Sequence, residues 1–145
     1  MMKHIESCIF NGEIPHHVLN LSRTVISILN RPTDGHVNIV GTGMGSDSVQ
    51  VYGWQSPVAS HTDNTGFIFF MPITCESGKD HLVCEAGEFE LQIGNLYLLD
   101  DSKPHSTIGN GNVTALFMGS FRPDQINDEL IAHVSKKFIE YLNPL

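Results

Sequence analysis

Positive charge is scarce in this sequence: eight lysines and arginines stand against sixteen aspartates and glutamates, a formal net charge of -8 over 145 residues. A phosphate backbone would be repelled at long range unless those few cations cluster, so no nucleic acid is expected as partner and a small molecule or a peptide is. Long apolar runs are missing too. No stretch of 18 or more apolar residues and no basic-plus-apolar leader occurs, which predicts no membrane span and a soluble, cytoplasmic protein. Cysteine is sparse and odd in number: Cys8, Cys75 and Cys84 lack C-x-x-C spacing. Neither a disulfide framework nor a zinc knuckle is expected, and the thiols read as reduced, in the core or half-buried. A nucleophile elbow of the Gly-x-Ser-x-Gly kind is absent near Ser102 and His105, so hydrolase chemistry is not expected. Gly41 to Ser46 lacks the Lys-Ser/Thr ending of a phosphate loop and reads as a hairpin or lid.

What is present is an ordinary globular balance, 41% hydrophobic and 17% charged, long enough for one domain over residues 1–145 with its own core. Pro15 can open a helix, and Val18, Leu21, Val25, Ile28 and Leu29 recur at helical spacing until Arg31-Pro32 stops it. His16 and His17 in its first turn point about 100° apart and read as surface residues. A second helix is predicted from Pro123, with acidic residues in its first turn and Ile126, Leu130, Val134, Phe138 and Tyr141 along one face. Strands are predicted near 48–54, 66–73, 80–85, 88–93, 95–100 and 112–121. His81, Glu88 and Glu90 lie in alternating strand patterns; His81 reads as a surface or core residue and the two glutamates as solvated groups. His36 is a further histidine within the strand region.

The chemistry concentrates in His61-x-Asp63, with His105 following 44 residues after His61. Residues two apart in an extended segment point to the same side, so both can reach one metal. Two imidazoles and one carboxylate are the donor set that holds a non-haem Fe(II) on one face and keeps positions open. Eight His and eight Asp give about 0.4 such pairs by chance, so the context has to decide. That context is Gly94 to Ser106, a glycine turn, a buried strand and a polar corner that returns the chain to His105.

With these residues the chain resembles the Fe(II)/2-oxoglutarate-dependent oxygenases, over roughly residues 36 to 122. The resemblance implies a mainly β fold: a double-stranded β-helix, that is a jelly-roll or cupin-like barrel, between an N-terminal and a C-terminal helix. It implies His61, Asp63 and His105 as catalytic metal ligands on the second and seventh strands, Fe(II) as the metal and 2-oxoglutarate as co-substrate. Tyr52 stands nine residues before His61 and Arg122 stands 17 after His105, as in the nucleic-acid-dealkylating branch, where Gln50 takes the place of an amide residue. Gln50 and Tyr52 would touch 2-oxoglutarate, or else line an ordinary exposed strand face together with Trp54. Arg122 would anchor the far carboxylate with a bidentate fork, or else cap its strand or pair with Asp124. Lys103 is too close to His105 along the chain to replace it. A cupin metalloenzyme without co-substrate competes with this reading, weakened by Asp63 where a second His is wanted. A metal-free jelly-roll module is the third alternative.

Overall fold

The computed structural model describes residues 2–6, 9–30, 39–42, 48–64, 66–76 and 78–143. In chain order the elements are β1 (Met2–Glu6), α1 (His16–Leu29), β2 (Ile39–Gly41), β3 (Gln50–Gln55), β4 (Phe67–Thr74), β5 (His81–Cys84), β6 (Gly87–Glu90), β7 (Leu96–Asp100), β8 (His105–Ile108), β9 (Asn112–Phe121), a 3₁₀ turn (Pro123–Gln125) and α2 (Asp128–Leu142). Six strands form one sheet in the order β1-β7-β4-β9-β3-β2, and three form a second in the order β6-β5-β8. Each pairing is antiparallel. The segment ending at His61 extends the smaller sheet beside β8 through a bridge to His105. From β3 onward the chain crosses repeatedly between the two sheets, with β5 and β6 forming a hairpin within the smaller one, the connectivity of a double-stranded β-helix. The jelly-roll with flanking helices expected from the sequence is the fold observed.

The core is split in two by the larger sheet. On its outer side Val51, Phe69, Met71, Leu98, Leu116 and Met118 pack with Val18, Val25 and Leu29 of α1 and Val134, Phe138 and Leu142 of α2. On its inner side Trp54, Phe70, Tyr97, Leu99, Val113 and Ala115 face Leu82 and Leu91 between the sheets. Strands covered on both faces need no polar alternation, which is why Phe67–Ile73 and Leu96–Leu99 read as continuous apolar runs. One polar chain crosses the outer core: Ser22 Oγ meets Thr114 Oγ1 at 2.5 Å, and Thr114 Oγ1 meets Thr74 Oγ1 at 2.5 Å. Each hydroxyl is thereby satisfied, so α1 is tied to β9 without an orphaned donor.

Three expectations shift. Leu21 is 37% exposed, and the buried helix position beside it is Ser22, claimed by the Thr114 bond. The second helix starts at Asp128 because Asn127 caps it, accepting from Leu130 N at 2.8 Å; Pro123 opens the separate 3₁₀ turn. β1, pairing with β7, is not among the predicted strands, nor are β2 and β8. Arg31-Pro32, Cys8, His36 and residues 43–47 lie outside the described residues.

Gly53 seats α1 on the sheet. A Cβ there would stand 2.6 Å from Val25 Cγ1 and 3.1 Å from Val113 O, and a buried β-branched side chain on a helix has little freedom to yield. Gly53→Ala is expected to cost about 1–3 kcal/mol, read as a lower urea midpoint at unchanged slope. An unchanged midpoint would show that the helix gives way at no cost.

Candidate metal centre

The centre is built where the segment before His61 runs beside β8. Val58 N donates to Thr107 Oγ1 at 2.8 Å and Thr107 N to Val58 O at 3.1 Å. Further along, His61 N donates to His105 O and His105 N to His61 O, both at 3.0 Å. Asp101, just past the end of β7, holds Asp63 and Gly66 beside it. Its carbonyl accepts from Asp63 N at 2.7 Å, its N–H donates to Gly66 O at 3.0 Å, and its carboxylate accepts from Gly66 N at 2.8 Å.

These bonds bring His61, Asp63 and His105 together, with one ligand atom from each lying within 4.8 Å of the other two. Asp63 Oδ2 is 3.4 Å from His61 Nε2 and 3.5 Å from His105 Nε2. The other nitrogen of each ring is engaged: His61 Nδ1 lies 2.8 Å from Ala59 O, and His105 Nδ1 lies 2.8 Å from Lys103 O. A carbonyl oxygen only accepts, so both Nδ1 atoms carry hydrogen, and in the neutral rings both Nε2 lone pairs face the Asp63 carboxylate. Backbone carbonyls are the usual partners of metal-binding imidazoles, fixing tautomer and ring orientation. Three acceptors turned on one point with no donor among them suit a cation, and the group could hold a metal ion. Access is graded: His105 is 9%, His61 30% and Asp63 46% exposed.

The triad forms one wall of a chamber of about 680 Å³ inside the barrel, a volume that suits a small organic molecule. Gln50, Tyr52 and Trp54 of β3 line it, so this strand face is turned inward, while Val51 and Gly53 face α1. Phe117 stacks on Tyr52 with centroids 4.8 Å apart and on Phe70 at 5.6 Å. Gly41 lies against the opposite face of β3's tyrosine, so close that a Cβ would stand 2.6 Å from Tyr52 Cε1 and Cζ. Gly119 and Ser120 also line the chamber. They sit at a bulge where Phe67 opposes Phe121 and Ile68 opposes Gly119, and Gly119 takes a φ of 152° that side-chain-bearing residues rarely adopt.

Arg122 is not among the residues that line the chamber, and it makes the pairing with Asp124 that was its alternative expectation. Its side chain is 72% exposed and its Nε donates to Asp124 Oδ1 at 3.1 Å. The strand ends at Phe121, and Arg122 N already bonds Gln125 Oε1 at 2.8 Å, turning the chain into the 3₁₀ turn. No lysine or arginine lines the chamber among the described residues, whereas Asp63 and Asp101 both do. Lys103 is exposed. His81 pairs with Glu88 across β5 and β6 at 3.1 Å, and His16 and His17 are exposed. Burial, with help from the charge of Asp80, pushes the Cys75 thiol up to about 11, which leaves it inert near neutral pH.

Sequence reading missed Asp101 and the indole N–H of Trp54, which is buried with no hydrogen-bond partner among the described residues. Trp54 shares the alternation of Gln50 and Tyr52, so its side of the strand was legible. Asp101 carried no signal beside Asp100, whose carboxylate instead accepts from Ser102 N and Oγ.

No protein-family model matches this chain, and no curated protein is similar to it. Among solved structures it is similar to an RmlC-like cupin protein from Desulfovibrio desulfuricans, with 13% identity, a TM-score of 0.38, and coverage of 62% of this chain and 91% of that one. A cupin superfamily protein from Desulfitobacterium hafniense gives 14% identity, a TM-score of 0.39, and coverage of 61% and 92%. The ribosomal oxygenase YcfD from Escherichia coli gives 16% identity, a TM-score of 0.38, and coverage of 67% of this chain but 29% of that one. The fold itself rests on the strand order and register given above.

Because Arg122 sits in an exposed ion pair, Arg122→Met is expected to change stability by less than about 0.5 kcal/mol and to leave metal affinity unchanged. Denaturant titration and calorimetry with Fe(II) check both, and a large loss of either would place this side chain in the site after all.

Proposed function

We propose that this chain is a non-haem Fe(II) oxygenase acting on a small organic molecule held in the barrel chamber. The observation supporting this reading is the convergence of His61 Nε2, Asp63 Oδ2 and His105 Nε2, both imidazoles locked by their Nδ1–H bonds, at the wall of an apolar chamber. Two imidazoles and a carboxylate fit Fe(II) and leave positions open. Iron bound there would activate O₂ toward an organic substrate. The protein's part is to hold the donors in register, to raise imidazole basicity through Ala59 O and Lys103 O, and to limit water through the aromatic and aliphatic wall.

2-Oxoglutarate is the co-substrate that goes with this reading, and Gln50 and Tyr52 on the chamber wall support it. Its far carboxylate wants a cation, which the wall does not offer among the described residues, while Asp63 and Asp101 add negative charge. That charge balance favours a second reading, a cupin-type metalloenzyme that oxidises its substrate without a co-substrate.

Asp63 is the one anion of the triad and half exposed, so its replacement should spare the fold. Anaerobic calorimetry is expected to show one Fe(II) site in the parent, weakened by more than about 100-fold in Asp63→Ala and likewise in His61→Ala and His105→Ala. Retention of parental affinity in Asp63→Ala would sink the metal centre. With iron loaded, O₂ uptake matched by succinate formation from 2-oxoglutarate assigns the co-substrate; iron binding without succinate assigns the second reading.

A further inference from the structure

The three donors of the centre are not held alike. Each imidazole is fixed through its own ring, His61 Nδ1 on Ala59 O and His105 Nδ1 on Lys103 O, both at 2.8 Å. Asp63 has no such support. Among the described residues the polar contacts of its carboxylate are the two Nε2 atoms, at 3.4 and 3.5 Å, and in the neutral rings neither of these carries a hydrogen to donate. Carboxylates that bind metals are ordinarily hydrogen-bonded by a neighbouring group that sets their direction. With 46% of its side chain exposed, Asp63 takes its direction from the backbone beneath it.

That backbone is gripped by Asp101. Asp63 N donates to Asp101 O at 2.7 Å. Three residues on, Gly66 is held twice, its N–H on Asp101 Oδ1 at 2.8 Å and its carbonyl on Asp101 N at 3.0 Å. Gly66 takes a φ of 113°, which side-chain-bearing residues rarely adopt, and a Cβ there would stand 3.0 Å from Phe121 O. Glycine is therefore what allows both of its backbone groups to turn onto Asp101. The two backbone bonds would form with any residue but proline at position 101, so what aspartate adds is the oxygen for Gly66 N. It adds that oxygen at 5% exposure, where a carboxylate is costly to bury.

We propose that Asp101 is the positioning residue of the metal centre: its carboxylate fixes Gly66 and, with it, the stretch of chain that aims Asp63 at the two imidazoles. Asp101 is not itself one of the three donors. This rests on the reading of the triad as a metal centre, and it names the side chain on which that centre's one anionic ligand depends.

Cobalt(II), which takes the same nitrogen and oxygen donors and whose visible bands report them, is the probe. Titration into metal-free protein is expected to show one site in the parent. Asp101→Asn keeps an oxygen for Gly66 N and loses only the charge, so binding weakens while the bands at saturating cobalt stay where they were. Asp101→Ala loses charge and oxygen together. It is expected to bind at least about tenfold more weakly than Asp101→Asn, with bands moved to those of Asp63→Ala, the reference for a centre without its carboxylate. Gly66→Ala leaves every donor and charge in place and should move the bands toward the same reference. Equal affinities and spectra in Asp101→Asn and Asp101→Ala overturn the proposal, and so does an Asp101→Asn spectrum that matches Asp63→Ala. If Asp101→Ala does not fold, Gly66→Ala decides, parental affinity and bands overturning the role. A parent that takes up neither cobalt nor iron removes the positioning role and the metal centre together, whereas a parent that binds while Asp101→Ala equals Asp101→Asn removes the positioning role alone.

Discussion

The pair of backbone hydrogen bonds exchanged between His61 and His105 is the constraint on which the centre depends. Residues directly opposite in an antiparallel pair send their side chains to the same face, so this one pairing puts two imidazoles on the same wall. Their ring centroids come to 4.3 Å. Asp63, two residues on, is held beside them by its N–H bond to Asp101 O, with two further Asp101 bonds fixing Gly66. A slip of one residue would turn one imidazole to the other face and dismantle the group. Register, more than any single side chain, makes the triad.

The chamber in turn depends on where the stabilising mass lies. Helices α1 and α2 bury their apolar faces against the outside of the larger sheet, each fully buried Val, Leu or Phe contributing roughly 1.5–3 kcal/mol. With that outer core closed by Val18, Val25, Phe138 and Leu142, the inner side can remain partly hollow. The inner core is accordingly richer in aromatics, which brace one another at an open space: Phe70 stacks on Tyr97 at 5.1 Å, and Tyr97 donates its hydroxyl to Glu90 O at 2.7 Å. A helix-backed sheet with a hollow front is a division of labour between stability and binding.

Much of this was legible in the sequence because doubly covered strands leave unbroken apolar runs, as in β4 and β7, and because His61-x-Asp63 has a period that only an extended segment turns to one side. The inward face of β3 was legible as alternation, though not which side it took, since that depends on α1 covering Val51 and Gly53. The rest was hidden for physical reasons. β1 is five residues with lysine and glutamate among them, and its existence follows from an edge of β7 that no local pattern announces. Leu21 fits the helical spacing but loses its place to Ser22, whose burial requires Thr114 on a strand 92 residues away. Arg122 follows an apolar strand as a ligand anchor would, yet the chain turns at that residue and hands the guanidinium to Asp124. An indole that lacks a partner among the described residues is invisible to any reading of composition.

Gly41 shows how lightly the chamber's dimensions are held. It pairs with Tyr52 across β2 and β3, and the tyrosine ring is clasped between this glycine's bare backbone and Phe117. Any side chain at this edge position must displace the ring toward Phe117, narrowing the space beside the triad without touching a metal ligand. Position 41 is thus a width gauge mounted on the rim. Drift at one peripheral residue can retune which molecules are admitted while the chemistry behind them stays as it was.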